Sequence, residues 1–373
     1  MNYSAIGKKL FIILFIFIAA GLFAMAQQEG PELEEFHEIT DMRGRTVSVP
    51  DEVESVIALE AGALRLLSYL DAVDKVIAVE DQGHGREKTV HNFFPLATYR
   101  LADPGLRDLP SIGSAENHEE IIAADPDIII ASTVDVGQLD QLQSLLGIPV
   151  FAVNADVELY DPQQFYQQLR SLGKVLGKES RAAALIEGID AELSDIESRA
   201  ARVETPKRAY AGGMMFYGPA DLLRTTGDYL PFDLTGTENV MPGNPANNRQ
   251  PYMTSLEDLI AAAPVYAFID AANLNLSKAG FMQHRNVLEE QVPAFANRQV
   301  YSTLVYKYYG TNWENQLINV YYVGKVLYPE LYSDIEIEAK AEEIWKLFFN
   351  VPLDYDFVVS QQKTGLGRVD WFN

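Results

Sequence analysis

The sequence predicts an α/β protein with two lobes of mostly parallel sheet, joined by one long α-helix, and a ligand cleft between the lobes. Three observations lead there. First, residues 119–130 read EEIIAADPDIII and residues 257–268 read EDLIAAAPVYAF, with five of twelve positions identical at an offset of 138. Each copy starts with an acid, runs through an apolar helical stretch, breaks at Pro126 or Pro264 and turns strand-like. That offset is far wider than the roughly 20–50 residues of a solenoid repeat, so it marks two similar lobes. Second, β-prone runs alternate with helical ones on both sides of the chain's middle, the pattern of βαβ units and parallel pairing. Third, residues 162–176 and 179–203 are helical in pattern, rich in Ala, Leu, Glu and Arg without an internal proline, until Pro206 ends the run.

Taken in order, Lys8 and Lys9 precede the apolar LFIILFIFIAAGLF at 10–23, and Ala24-Met25-Ala26 offers a small-x-small cleavage site. These are the three regions of a secretory signal peptide, assigned to residues 1–26. The apolar run is about 14 residues, short of the roughly 20 that span a bilayer. An uncleaved anchor is the alternative. No Cys follows, which excludes a lipoprotein anchor, so the expected product is exported and periplasmic. The first lobe is placed at 38–160. ITDMRGRTVSVP, 39–50, reads as a hairpin around Arg43-Gly44, SVIAL and VIAVE as buried strands, and ALRLLSYL, 63–70, as a helix. The polar DQGHGREK loop follows at 81–88, then the helix-to-strand unit at 117–131, a helix at 137–146 and the strand PVFAV at 149–153.

Residues 161–205 form the linking helical segment. Its second stretch of about 25 residues would reach roughly 37 Å at 1.5 Å per residue, as a rigid strut or as an ordinary packed helix. The second lobe is placed at 206–350, with strands at RAYAGG, VYAFIDA and VYSTL and helices near 312–328 and 336–349; residues 351–373 are read as a C-terminal tail.

Composition narrows the function. With 373 residues the chain suffices for two ordinary domains, and 48% hydrophobic against 22% charged residues marks a folded protein. A net charge of −24, from 53 acids against 29 Lys and Arg, argues against a nucleic-acid partner, because phosphate binding needs a basic surface. The same acidity also serves solubility. The absence of Cys removes thiol catalysis, disulfides and thiolate metal sites together. The five His stand at 37, 84, 91, 118 and 284 without an HxH or HxxxH pair, so a bare-metal cluster is poorly supported. No GxSxG, P-loop, HExxH or DFG-like motif appears, and the chain is read as a binding protein rather than an enzyme.

Several stretches together resemble a known family: TDMRGRTVSVPDEVESVIAL, AGALRLLSYLDAVDKVIAVE, IGSAENHEEIIAADPDIIIAS, SLEDLIAAAPVYAFIDA and VYKYYGTNWENQLINVYYVGKVLYPE. Their order and spacing, over roughly residues 38–350, resemble the helical-backbone class of periplasmic binding proteins, which serve ABC importers of iron-siderophore, haem and cobalamin complexes. The resemblance implies two Rossmann-like lobes with limited hinge motion, a monomer, and a permease dimer as partner. It further implies that one Glu on each lobe docks on that permease. Carried over, these are Glu119 in NHEEI and Glu257 in SLEDL. Helix capping is the alternative reading, with Asn117 or Ser255 as N-cap and Glu120 or Asp258 as capping-box partner, although capping does not require Glu119 or Glu257.

In open α/β lobes ligands bind beyond the carboxyl ends of strands, and four loops fall there. EAGALR places Arg65 on the first turns of a helix, suited to an anion or to a surface salt bridge. DQGHGREK offers His84 and Arg86, as ligands or as solvated loop residues. GGMMFYGPADLLRTTG offers Met215 and Tyr217 beside Met214 and Phe216, with Arg224, as a polarisable wall or as core. YKYYGTNWEN gathers Tyr306, Tyr308, Tyr309 and Trp313 around Lys307, Gly310 and Asn312, more aromatics with polar tips than a core easily satisfies. Arg249 stands in the Pro/Asn-rich loop at 242–252. The expected ligand is a small-molecule metal chelate, an iron(III) siderophore first. Haem, a corrinoid, a bare metal or an organic anion, and a sensing or surface role on the same fold, are the alternatives. No intrinsic cofactor is expected.

Overall fold

The computed structural model describes residues 35–80, 96–132, 135–155, 162–216, 218–246 and 249–372. The leader read at 1–26, and His84, Arg86 and Tyr217, lie outside the described residues. Strands β1, Phe36–Thr40, and β2, Thr46–Pro50, form the expected hairpin. Its turn is closed by Asp41, which accepts from the backbone N–H of Arg43 (2.8 Å) and Arg45 (3.0 Å) and from the Arg45 guanidinium (2.8 Å). Gly44 takes φ +78° there, a left-handed conformation that costs glycine little.

The β-branched runs VIAL and VIAVE become β3, Val56–Leu59, and β4, Val76–Glu80. They join β5, Ser111–Gly113, β6, Ile128–Ala131, and β7, Val150–Ala152, in a wholly parallel sheet of order β5-β4-β3-β6-β7. Helices α1, Glu60–Tyr69, α2, Tyr99–Ala102, α3, His118–Ala124, and α4, Val136–Leu146, lie in the connections between strands. Apolar residues face both ways from these strands, as a parallel sheet covered on both faces requires.

Two helices follow, α5, Pro162–Leu176, and α6, Glu179–Ala200. With 22 residues α6 is about 33 Å long, and it is tied down along its length. Arg181 donates to the carbonyls of Tyr69 (2.9 Å), Leu347 (2.7 Å) and Phe348 (2.8 Å). Further along, the Tyr321 hydroxyl reaches Glu192 at 2.6 Å, and Arg199 grips Asp334 with two 2.7 Å bonds. The strut and the packed helix are thus the same element.

The second sheet contains β8, Arg208–Gly212, β9, Arg224–Thr225, β10, Glu238–Asn239, β11, Tyr252–Met253, β12, Tyr266–Asp270, and β13, Val300–Thr303. Strands β10, β8, β12 and β13 are parallel, while β9 and β11 extend one edge antiparallel. Between the strands run α7, Leu230–Thr235, α8, Leu256–Ala262, α9, Leu274–Gln283, α10, Arg285–Gln291, and α11, Pro293–Ala296. Helices α12, Trp313–Leu327, and α13, Ile337–Phe349, fall within a residue of the positions read from sequence.

The segment read as a tail is not one. Residues 351–373 contain α14, Tyr355–Gln362, and β14, Gly367–Arg368, which pairs antiparallel with β13. Trp371 (2% exposed) and Phe372 (8%) then enter the second lobe's outer core beside Phe281. The run FVVSQQKTGLGRVDWFN looks polar, and its two terminal aromatics are what anchor it.

One buried cluster runs from Val56 and Ile130 of the first sheet, through Leu185 and Ile189 of α6, to Ala211 and Phe268 of the second sheet. Two smaller clusters cover the sheets' outer faces. The lobes therefore share one core rather than touching at a hinge.

Candidate functional site

The duplicated segment is a structural repeat. Helices α3 and α8 each have seven residues, each ends in a left-handed residue (Asp125, φ +50°; Ala263, φ +43°), and each is followed by proline and then by β6 or β12. Glu119 and Glu257 occupy the same second helical position, and both are exposed. Their caps differ. Ser255 forms the full capping box, accepting from the Asp258 N–H (3.0 Å) while Asp258 reaches back to it. Asn117 makes no such cap; its amide donates to the Ile112 carbonyl at 2.8 Å.

One hollow lies past the carboxyl ends of β8 and β13. Met214, Met215 and Tyr306 give it apolar, polarisable walls. Arg249 and Lys307 bring positive charge, with Thr226 and Asp228 as further polar lining. On the first lobe, the carboxyl edge of the sheet carries acids instead. Glu80 accepts from the backbone N–H of Glu60 (2.6 Å) and Ala115 (3.0 Å), and Glu60 accepts from the Ser132 hydroxyl (2.7 Å).

Backbone strain gathers at these edges. Nine described non-glycine residues have positive φ, and most close helices or turns. Three of them lie near these edges: Glu60 (φ +67°) opens α1 directly after β3, Arg249 (+47°) lines the hollow, and Tyr309 (+48°) sits in the turn after β13. Such conformations cost about 1–3 kcal/mol each and cluster at ligand-handling loops.

Several residues nominated from sequence belong elsewhere. Arg65 is fully buried; its guanidinium donates to the carbonyls of Tyr308 (2.8 Å) and Tyr309 (3.3 Å) and lies 5.3 Å from the Tyr99 ring centroid. It grips the other lobe's loop and offers no open face to a ligand. Trp313 is also fully buried, stacked on Phe165 at 4.6 Å and edge-on to Tyr69 at 5.7 Å, which makes it interlobe core. Asn312, buried too, turns its amide to the Val305 carbonyl at 3.0 Å. Arg224 holds its own loop through the carbonyls of Phe216 (2.6 Å) and Gly218 (2.8 Å). Met215, Arg249 and Tyr306 share the hollow. Tyr308 and Tyr309 pack edge to face at 5.0 Å, half-buried and exposed respectively.

Sequence reasoning passed over Thr226, Asp228, Glu60, Glu80 and Asp270. The last three have a shared signal, an acid placed directly at the end of an apolar strand run. Asp270 is buried, with no cation partner among the described residues, and its carboxyl accepts from the N–H of Ala272 (2.8 Å) and Tyr306 (3.2 Å). Burial pushes its pKa up to about 7 against those two bonds. Burial likewise raises Glu314, which accepts from the Tyr69 hydroxyl, while nearby Arg65 pulls it back. Among the described residues, no group of three or more His, Asp and Glu could hold a bare metal ion, and no helix is long and apolar enough to cross a membrane.

Two α/β lobes around a cleft, sharing one core and spanned by a long helix, define a bilobal solute-binding fold. The chain belongs to the periplasmic binding protein family, whose pattern matches residues 56–304. It is 21% identical over 340 residues to the molybdate-binding protein MolA of Haemophilus influenzae, covering 83% of this chain and 90% of that one. Its fold is similar to that of MolA bound to molybdate (TM-score 0.66, 17% identity, 85% of this chain and 99% of that one). A periplasmic solute binding protein from Veillonella parvula is similar as well (TM-score 0.67, 17% identity, 88% and 99%). So is Helicobacter pylori CeuE with Ni(II) bound (TM-score 0.60, 16% identity, 88% and 98%).

Proposed function

We propose that this protein captures a compact anionic solute outside the cytoplasm and delivers it to the permease of an ABC importer. The observation that carries the reading is the hollow in which Arg249 and Lys307 meet Met214, Met215 and Tyr306. Two cations against the single carboxylate of Asp228 leave the lining net positive, which suits an anion, and thioethers with an aromatic ring suit a polarisable one. A compact anionic iron(III) chelate fits this description, with the metal arriving as cargo inside its organic shell. A bare metal oxyanion is the second reading, favoured by the ligand named for MolA.

Calorimetric titration with ferric chelates of either charge, molybdate, tungstate and nickel–histidine tests this directly. Saturable binding of anions only is expected. Reversing Arg249 and Lys307 together (R249E/K307E) should weaken it at least about 100-fold, since each lost charged hydrogen bond is worth about 1.5–3 kcal/mol. Binding of cationic complexes alone, or an unaffected double variant, would defeat the anion reading.

A further inference from the structure

Residues 306–312 belong by sequence to the second lobe, yet the first lobe holds them. Tyr306 and Lys307 line the hollow, while the next residues turn back on themselves: the Tyr308 N–H donates to Gly310 O at 2.9 Å, and Lys307 bridges Thr311. The turn is fixed to the first lobe at two points. Arg65 of α1 donates to the carbonyls of Tyr308 and Tyr309, and the Thr311 N–H donates to Ala155 O at 3.2 Å. Gly310 takes φ +97°, and a side chain there would meet the Arg65 Nη1 at 3.0 Å and Ala155 at 3.4 Å. Only glycine allows the turn to sit this close. Carbonyl oxygens of a tight turn accept a guanidinium's forked donors well, and a buried arginine with no carboxylate within ion-pair distance among the described residues has such bonds as its main satisfaction.

We infer that Arg65 is a positioning residue for the solute site: by gripping the Tyr308–Tyr309 carbonyls it fixes where Tyr306 and Lys307 stand, so that solute binding and the interlobe grip are coupled. This rests on the solute reading above. Coupling of this kind is reciprocal: solute that engages Lys307 tightens the grip, and weakening the grip loosens the solute. Glu314 stands near by, fully buried, and among the described residues neither its Oε1 nor the Arg65 Nε has a hydrogen-bond partner. Removing Arg65 alone would strand that carboxyl, so the variant must neutralise both.

The test compares wild type, Arg65→Lys, Arg65→Met/Glu314→Gln and Gly310→Ala, reading anion affinity and backbone hydrogen exchange at Tyr308 and Thr311. Arg65→Met/Glu314→Gln should lose about 10–100-fold in affinity, the range of a charged hydrogen bond, and should exchange faster at Thr311. Arg65→Lys, which keeps the charge but not the fork, should fall between. Gly310→Ala should shift both readouts the same way without touching any charge, which guards against a variant that fails to fold. In wild type, solute should slow exchange at Thr311. Folded variants with wild-type affinity, or with fast exchange but intact affinity, overturn the inference. If wild type binds none of the anions, the solute reading falls alone, and exchange in Arg65→Lys against wild type still decides whether Arg65 holds the turn.

Discussion

The two lobes share a unit and differ around it. In the first, α3 leads into β6 within a sheet that is parallel throughout; in the second, α8 leads into β12 within a sheet with antiparallel edges. The shared part presents Glu119 and Glu257 at one matching position. The unshared part, between β8 and α8, supplies Met214, Met215 and Arg249 to the hollow. At the ends of the matched strands the offset of 138 pairs Ser132 with Asp270: one hydroxyl donates to Glu60, the other carboxyl carries the Tyr306 N–H. Duplication here keeps the frame, and the proposed solute hollow lies where the copies diverge.

The largest effect is expected at the shared acids. If the proposed permease reads both lobes alike, Glu119→Arg/Glu257→Arg abolishes uptake in cells, each single reversal costs about the same, and calorimetry shows solute affinity intact. A loss of affinity, or one single reversal carrying the whole effect, removes the docking assignment.

A smaller effect separates Asp270 from Ser132. Its folded pKa of about 7, against an ordinary 3.8, means that the folded chain binds more protons than the unfolded one between those values. Its contribution is therefore present in full below about 4 and lost as pH rises through about 7. Asp270→Asn should flatten the fall in denaturation free energy over that window. Asp103, raised to about 6 chiefly by burial, acts with the same sign and stays in both chains. Parallel curves for wild type and variant would show that Asp270 does not titrate there.

The smallest effect is at the caps. Ser255→Ala removes a capping box and should cost about 1 kcal/mol. Asn117→Ala, which loses one amide bond to the Ile112 carbonyl but no cap bond, should cost less, about 0.5 kcal/mol, in the same urea titration. Equal costs would mean that the two helix starts are equivalent after all.

The frame was legible because its signals are periodic: VIAL, VIAVE and the α12 and α13 windows show their elements directly, and Pro126 and Pro264 end helices where they appear to. Short strands such as β9, β10 and β11 carry no periodicity over two residues, and the terminal segment hid its anchor in Trp371 and Phe372. The site was less legible. Arg65, Asn312 and Trp313 have the residue types of a ligand wall, but whether such groups face solvent or the opposite lobe depends on contacts between residues some 240 positions apart. Met215, Arg249 and Tyr306 come together only once the strand order is known.

The continuous core from Val56 to Phe268 has a consequence for traffic. A carrier of the proposed kind, whose lobes share their interior, would keep nearly the same spacing between Glu119 and Glu257 whether empty or loaded. Empty carriers then occupy the importer's entrance as readily as full ones. Throughput would peak at an intermediate ratio of carrier to importer and decline when unloaded carrier is in excess, so a cell tunes such uptake by how many copies of this chain it makes.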